Sequence, residues 1–336
     1  MCDEEKEVTE LTDEQSVPVN ENTKETAEAQ KAQEENEVIE PRELKSATTF
    51  DEQLNKIKER GCIIGDEEWA KDVLKQINYY RLTAYFLPYK EPDETYAEGT
   101  TFNNMYRTYE FDRKLRHLLF TTIEEIEIML RAQLSYYHAH KYGALGYENE
   151  ENFNNWHNHE KFINQIKDDI ERNKNKLAVK HHNQFYGGKF PIWVVIELFT
   201  VGQLSIFYSD MIRSDKKAIA KSLYQTTDTN MTSWLKCLTE LRNNCAHYSR
   251  LYNNRLVSVP ATPKGFPYSL GKEVFDYILV LKFLYYDPIK WKQEFMVNLE
   301  TLIEEYDSSI ELSRIGFPKN WKVILNHKNP ELNQNL

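Results

Sequence analysis

From Phe102 to Tyr142 neither glycine nor proline interrupts the chain, and Met105, Tyr109, Leu115, Leu118, Leu119, Ile123, Ile126, Leu130 and Leu134 recur at steps of mostly three and four. That is the period of an α-helix with one buried face, and no strand shares it. A helix of this length cannot bury its apolar stripe alone, so several further elements must pack along it. The spacing predicts one long amphipathic helix closed by Gly143, whose polar face carries Asp112, Arg113, Arg116, Glu124, Glu127 and Arg131. With 11 glycines and 11 prolines among 336 residues there are too few turn-formers for a sandwich or barrel, while 6 Trp, 21 Tyr and 16 Phe supply core material. The expected fold class is all-α: a helical bundle with an N-terminal helical extension and a disordered acidic tail.

Residues 1–46 are rich in Glu, Thr, Gln and Asn and hold no aromatic side chain. They have too little apolar surface to offset the entropy of ordering and are expected to be disordered. Thr49-Phe50-Asp51-Glu52 reads as a helix start and Gly61 as its stop, and a second helix is expected from Asp66 through Trp69, Val73, Leu74 and Ile77 to Tyr80. Pro88, Pro92 and Gly99 mark a loop, so residues 47–100 are read as a helical extension packed on the bundle, 101–310 as the main helical domain and 311–336 as a C-terminal tail. Residues 144–190 are polar, with a helix expected near Glu160 to Lys176 and a loop at Gly187-Gly188, and Pro191 sits where a first-turn proline belongs. Further helices are expected at Gln203 to Met211, Lys216 to Tyr224, Ser233 to Tyr248, Lys272 to Tyr286 and Ile289 to Tyr306.

The formal net charge of −11 argues against an anionic partner only until it is resolved by position. Met1 to Lys45 carry 15 acidic and 5 basic side chains, a net of −10, which leaves 38 acidic and 37 basic side chains for the rest of the chain. The body is nearly neutral, and charge excludes no class of partner. The acidic segment reads as a solubilising tail, or as an arm that competes with an anionic ligand for a basic surface. Cys2, Cys62, Cys237 and Cys245 form no CxxC pair, as expected of reduced thiols in a cytoplasmic protein. The start, Met1-Cys2-Asp3-Glu4-Glu5, lacks the basic and apolar regions of a signal peptide, and Glu197 and Lys282 interrupt the most apolar stretches. Neither export nor a membrane location is expected.

The chemistry-bearing pattern lies between Ser233 and Arg250. Projected at about 100° per residue, Trp234, Leu238, Leu241, Cys245, Tyr248 and Tyr252 fall on one stripe, the expected core face. Lys236, Glu240, Asn243, His247 and Arg250 fall opposite, with Asn243 and His247 an i,i+4 pair. Arg242 lies on the flank, roughly 140° from His247, so the two approach only if the helix ends or bends or the arginine reaches around. From Ser233 to Lys264 one acidic residue, Glu240, stands against Lys236, Arg242, Arg250, Arg255 and Lys264, a local charge of +4. Such a patch suits phosphate, although a plain solvated face has the same look. Within it sit an imidazole that exchanges protons near neutral pH, a fixed guanidinium and an orienting amide. These are the groups that metal-free cleavage of RNA requires: a base for the 2′-OH and a cation for the charge developing on phosphorus.

Arg242-Asn243-Asn244-Cys245-Ala246-His247 matches the Arg-x(4 to 6)-His motif of HEPN domains. Ahead of it stand Ile77-Asn78-Tyr79-Tyr80-Arg81-Leu82-Thr83-Ala84-Tyr85, Tyr109-Glu110-Phe111-Asp112-Arg113-Lys114-Leu115-Arg116, Ile123-Glu124-Glu125-Ile126-Glu127 with Leu130-Arg131, and Pro191-Ile192-Trp193 with Glu197, Gly202 and Leu204-Ser205. After it comes Arg250-Leu251-Tyr252-Asn253. In this order, over about residues 48 to 310, the sequence resembles the abortive-infection (Abi) family of the AbiD/AbiF type. The resemblance implies a HEPN-like helical bundle acting in phage defence, with RNA as ligand and substrate and a composite site formed by two protomers of a homodimer. It implies that Arg242 binds and stabilises the phosphate, that His247 is general base or acid and that Asn243 positions one of them. It also implies a small structured non-coding RNA as partner. Tyr248 departs from the pattern, since many relatives carry a second histidine there.

Other signals are weaker. Glu127 and Arg131 read either as an orienting pair beside the motif or as an ordinary ion pair. Tyr80 and Arg81 read as core and capping groups or as a clamp for RNA, and Arg250 as a further RNA contact. Arg131 and His138 also satisfy an Arg-x(6)-His spacing, but no Asn follows the arginine and the two share one helix face, so chance accounts for them. The pairs His138/His140, His157/His159 and His181/His182 lack HExxH spacing and cysteine support, so no metal is expected, and no phosphate loop or dinucleotide fingerprint implies a cofactor. Lys174, Lys176, Lys180, His181 and His182 form a basic run, read as a solvated loop or as a grip on RNA backbone. Two functions fit these residues: a metal-independent endoribonuclease of HEPN type, or a helical protein that binds and sequesters an RNA without cleaving it.

Overall fold

The elements begin where local chemistry says they should. In the computed structural model, which describes Leu44 and residues 46–327, helix α1 (Phe50–Glu59) opens on a reciprocal cap. Thr49 Oγ1 accepts the Glu52 N–H at 3.2 Å, the Glu52 carboxylate accepts the Thr49 N–H at 2.7 Å, and Gly61 leaves the helix at φ +88°. Helix α2 (Glu67–Gln76) is capped by Asp66 and stops short of Tyr80, because Asn78 accepts the Tyr80 N–H at 2.9 Å and starts a separate helix, α3 (Tyr79–Thr83). The expectation of a disordered acidic tail over residues 1–46 falls, apart from Leu44 and Ser46, on residues outside the described ones.

Helix α4 (Phe102–Tyr142) is the long helix, capped by Thr101 and ended by Gly143 at φ +84°. Its stripe, from Phe111 through Leu115, Leu119, Ile123, Ile126 and Leu130 to Leu134, is buried. Asp112 and Arg116, expected on the polar face, are instead 0% and 3% exposed. Thr108, Asp112, Leu115 and Leu119 follow one another at helical steps, so position, not polarity, puts Asp112 in the core.

The helix expected near Glu160 to Lys176 is α5 (His159–Arg172), closed by Asn173, which donates its side-chain amide to the Asp169 carbonyl at 2.7 Å, and a further helix, α6 (Leu177–Phe185), follows where none was expected. The basic run is thus largely helical and not a loop. Pro191 is the cap of the short α7 (Ile192–Val195), one position before the first turn. The chain continues through α8 (Val201–Asp210), α9 (Arg213–Tyr224), α10 (Asp228–Ala246), α11 (Val274–Leu284), α12 (Pro288–Lys290), a π turn (Trp291–Phe295) and α13 (Met296–Tyr306). Residues 311–327, read from the sequence as part of a tail, form a 3₁₀ turn (Leu312–Ile315) and helix α14 (Trp321–Asn326). Ile315 and Leu325 are fully buried there, and Phe317 lies 4.8 Å from the Phe275 ring.

All of α11 except Lys282 is buried, as befits a helix that is apolar on every side but for Asp276 in its first turn. It lies among α4 and α10, and α4 also contacts α7, α8 and α13. Trp234 of α10 stacks on Phe283 at 4.8 Å and donates its indole N–H to the Ala261 carbonyl at 2.8 Å. The extension buries Leu54, Ile57, Val73, Leu74, Leu82 and Phe86 in a smaller cluster that includes Phe102 and Met105 of α4. From Thr49 onward the chain is one compact unit. Among the described residues there is no strand beyond isolated bridges, and no helix is long and apolar enough to cross a membrane.

His138 is fully buried between Tyr142, Phe153 and Phe207, and neither ring nitrogen has a partner. Burial lowers it from 6.5 to about 4. Within that window the unfolded chain binds a proton that the folded chain refuses, so stability must fall as the pH falls, by up to about 3 kcal/mol. Denaturant titrations from pH 7 to pH 4 are expected to lose this slope in His138→Leu; an unchanged slope contradicts the assignment.

Candidate functional site

Helix α10 seats one stripe, Trp234, Leu235, Leu238, Leu241 and Cys245, in the core and ends at Ala246. His247 is its half-helical last residue, at φ −93° and ψ 11°. Tyr248 follows at φ +58°, its N–H donating to the Cys245 carbonyl at 3.2 Å while the Ser249 N–H donates to the Asn244 carbonyl at 2.9 Å. This pair of reversed bonds normally closes a helix on glycine, and a tyrosine in the left-handed region costs about 1–2 kcal/mol.

Bonds from two other parts of the chain hold that turn. Arg81 Nη1 donates to the Tyr248 carbonyl at 2.7 Å, and Arg116 Nη1 to the Ser249 carbonyl at 3.2 Å. Arg250 turns inward and donates to the Ala84 carbonyl. Asp112 accepts the N–H groups of Leu251 at 3.2 Å and Tyr252 at 2.9 Å, the Tyr85 hydroxyl at 2.5 Å, and the Arg116 guanidinium. Burial pushes the Asp112 carboxyl up, while Arg116, Tyr85 and the two N–H groups pull the other way.

What this network presents outward is the Arg-x4-His segment. Asn243 and His247 are exposed, and neither makes a side-chain hydrogen bond among the described residues. Arg242 is half-buried with its guanidinium 6.0 Å from the Phe120 ring centre. Its Nε is buried without a hydrogen-bond partner, and it forms no ion pair among the described residues. The neighbouring Cys245 thiol is pushed up to about 12 by burial and is no nucleophile.

The helical wheel misplaces three residues here. Tyr248, expected in the core, is 65% exposed, because the helix has already ended. Arg250, expected outward, is engaged with Ala84 for the same reason. Glu240 is covered: it accepts the Val257 N–H at 2.5 Å, the Ser258 N–H at 3.1 Å and the Tyr277 hydroxyl at 2.8 Å. Burial alone would raise its carboxyl, but these donors hold it below the ordinary glutamate value.

Glu127 and Arg131 pair with each other, and Arg131 also donates to the carbonyls of Phe199 at 2.5 Å and Ile196 at 3.4 Å. They close the turn after α7, and among the described residues no hydrogen bond or ion pair links them to Arg242 or His247. Tyr80 is exposed, whereas Arg81 is tied to Tyr248. Sequence reasoning missed Asp112 as the hub of the turn. The signal was its helical phase, in step with Leu115 and Leu119.

Residues 72–253 match the family model for Abi-like protein, a span that includes α3, α4, α10 and the Tyr248–Tyr252 turn. The chain belongs to this family, that of abortive-infection phage defence. No curated protein and no solved structure matches it.

Asp112→Ala strands Arg116 and two N–H groups and is expected to cost about 3–5 kcal/mol. His247→Ala, at an exposed position, should cost less than about 0.5 kcal/mol. Tyr248→Gly should add about 1 kcal/mol by relieving the left-handed tyrosine. Urea midpoints read all three, and an Asp112→Ala chain as stable as the parent contradicts the hub.

Proposed function

We propose that the chain is a metal-independent endoribonuclease of HEPN type, acting in abortive infection in the cytoplasm, with the end of α10 as half of its active site. The observation that carries this reading is Arg242, a guanidinium with a buried, unpartnered Nε on the flank of a turn that exposes Asn243 and His247. An arginine without a carboxylate is suited to an exchangeable anion, and a phosphodiester fits its planar fork.

In the proposed reaction His247 takes the proton of a ribose 2′-OH, and the 2′-oxygen attacks the adjacent phosphorus. The bond from phosphorus to the 5′-oxygen breaks, and that oxygen leaves with a proton from an imidazolium of a second copy of the chain. Arg242 neutralises charge on the non-bridging oxygens, and Asn243 orients the imidazole or the phosphate. The products are a 2′,3′-cyclic phosphate and a 5′-OH. A homodimer supplies the composite site, which an outward-facing turn can form across a two-fold axis. A small structured RNA is the proposed regulatory partner.

The test is expression of the parent beside Arg242→Ala and His247→Ala, scoring growth arrest and RNA cleavage with chelator present. Each variant is expected to lose at least about a hundredfold in cleavage, with no effect of chelator on the parent. Cleavage retained by both variants sinks the site, and cleavage abolished by chelator sinks the metal-free mechanism. RNA bound but never cut by the parent would instead support sequestration. Light scattering should find a dimer; a monomer that cleaves contradicts the composite site.

A further inference from the structure

We infer that helix α6, with the Gly187-Gly188 turn behind it, is a second contact surface for single-stranded RNA, built from residues that take no part in the turn after α10. From Arg172 to Ile196 the chain holds Arg172, Lys174, Lys176, Lys180 and Lys189 and no acidic residue, a local charge of +5. This exceeds the +4 of the segment around Arg242, in a body that is nearly neutral.

The fold uses almost none of this helix for itself. Only Val179 and His182 of α6 are buried. Leu177, Phe185 and Tyr186 are 84%, 64% and 55% exposed. Arg172 and Lys174 pair with Asp169 and Glu171, whereas Lys176, Lys180 and Lys189 have no ion pair among the described residues. His182 is the fastening. Its Nδ1 lies 3.0 Å from the Lys189 carbonyl and its ring stacks on Tyr186 at 4.7 Å, which folds the left-handed Gly187 and Gly188 back over the helix and sets Lys189 beside it. His181 then groups with Phe185 at 5.0 Å and Tyr186 at 5.5 Å, a set of rings on the surface.

Unpaired lysines next to exposed ring faces are the combination that binds single strands, with the cations on the phosphates and the rings against unstacked bases. A duplex would use the lysines and leave the rings idle, since its bases already stack on one another. A bilayer would require a wider apolar face than Leu177 and Phe185 provide, with an imidazole between them. The groove beside Gly188 is lined by Glu148, Glu160 and Glu171 against a single lysine, Lys167, so its charge favours a strand along the outer face of α6 over one in that groove. The inference rests on RNA as the ligand class, and not on His247 as the base.

The test uses the full chain carrying His247→Ala, so that RNA stays intact. Its probes are a fluorescein-labelled single strand of about 20 nucleotides and its duplex, read by anisotropy between about 50 and 200 mM KCl. Vesicles of phosphatidylcholine with phosphatidylserine serve as the lipid probe. Replacing Lys176, Lys180 and Lys189 together by Gln is expected to weaken single-strand binding at least about tenfold and to flatten the log K against log salt slope by about 2. Phe185→Ala with Tyr186→Ala should weaken it about fivefold or more with the slope unchanged and the duplex unaffected. If the parent binds RNA and both variants match it, this surface is wrong while the RNA reading stands. If the parent binds neither form of RNA, the RNA reading fails and this inference with it. Loss of vesicle binding with RNA binding unchanged would assign α6 to lipid and overturn it.

Discussion

Taking a carboxyl group wholly out of water costs several kcal/mol unless other groups replace the water, and Asp112 finds its replacements in three parts of the chain. Tyr85 comes from the extension, Arg116 from the same helix one turn on, and the N–H groups of Leu251 and Tyr252 from beyond the end of α10. Because each of these must be present for the carboxyl to be satisfied, the extension, the long helix and the turn are locked in one relative position. Arg81 and Arg250 add bonds of the same sense between the extension and the turn. The orientation of His247 follows from that lock, since only backbone separates it from the clamped residues.

The elements that could be read from the sequence are those whose signals are local. The period and unbroken run of α4, the cap at Thr49 and the stop at Gly61 each need only their neighbours. What escaped reading depended on the fold. Asp112 and Arg116 have polar side chains at apolar phase, and polarity was the louder signal. Tyr248 offers no glycine to announce that α10 has ended, so a wheel drawn through it turns Arg250 and Tyr248 to the wrong sides. The run from Lys174 to His182 is too polar to look like a helix without the anchors Val179 and His182 in view. The Arg242, Asn243 and His247 pattern was readable as chemistry, yet nothing in it told how its turn is held. Three of the stretches that carry the family resemblance, Ile77–Tyr85, Tyr109–Arg116 and Arg250–Asn253, meet at Asp112.

A group placed by such a network behaves differently from one on a free loop. His247 and Asn243 have exposed side chains on a backbone that is bonded on both sides, the helix behind and the clamp ahead. A backbone held in this way loses little further freedom when a ligand arrives, and only the side-chain rotamers remain to be fixed. The tyrosine forced into a left-handed conformation is the local cost of ending the helix at that point, and the arginine bonds to its carbonyl and the next offset it.

The clamp also has a direction in time. Its hydrogen bonds join residues 139 and 140 positions apart at Asp112, 133 apart at Arg116, 167 apart at Arg81 and 166 apart at Arg250. A ribosome finishes Arg81 and Asp112 long before it reaches Leu251, and until then the buried carboxyl has only half its partners. A chain that stops at His247 therefore holds every residue of the motif and none of the hydrogen bonds of the clamp. The turn that carries His247 is closed by groups that all follow it in the chain, the carbonyls of Tyr248 and Ser249 and the N–H groups of Leu251 and Tyr252.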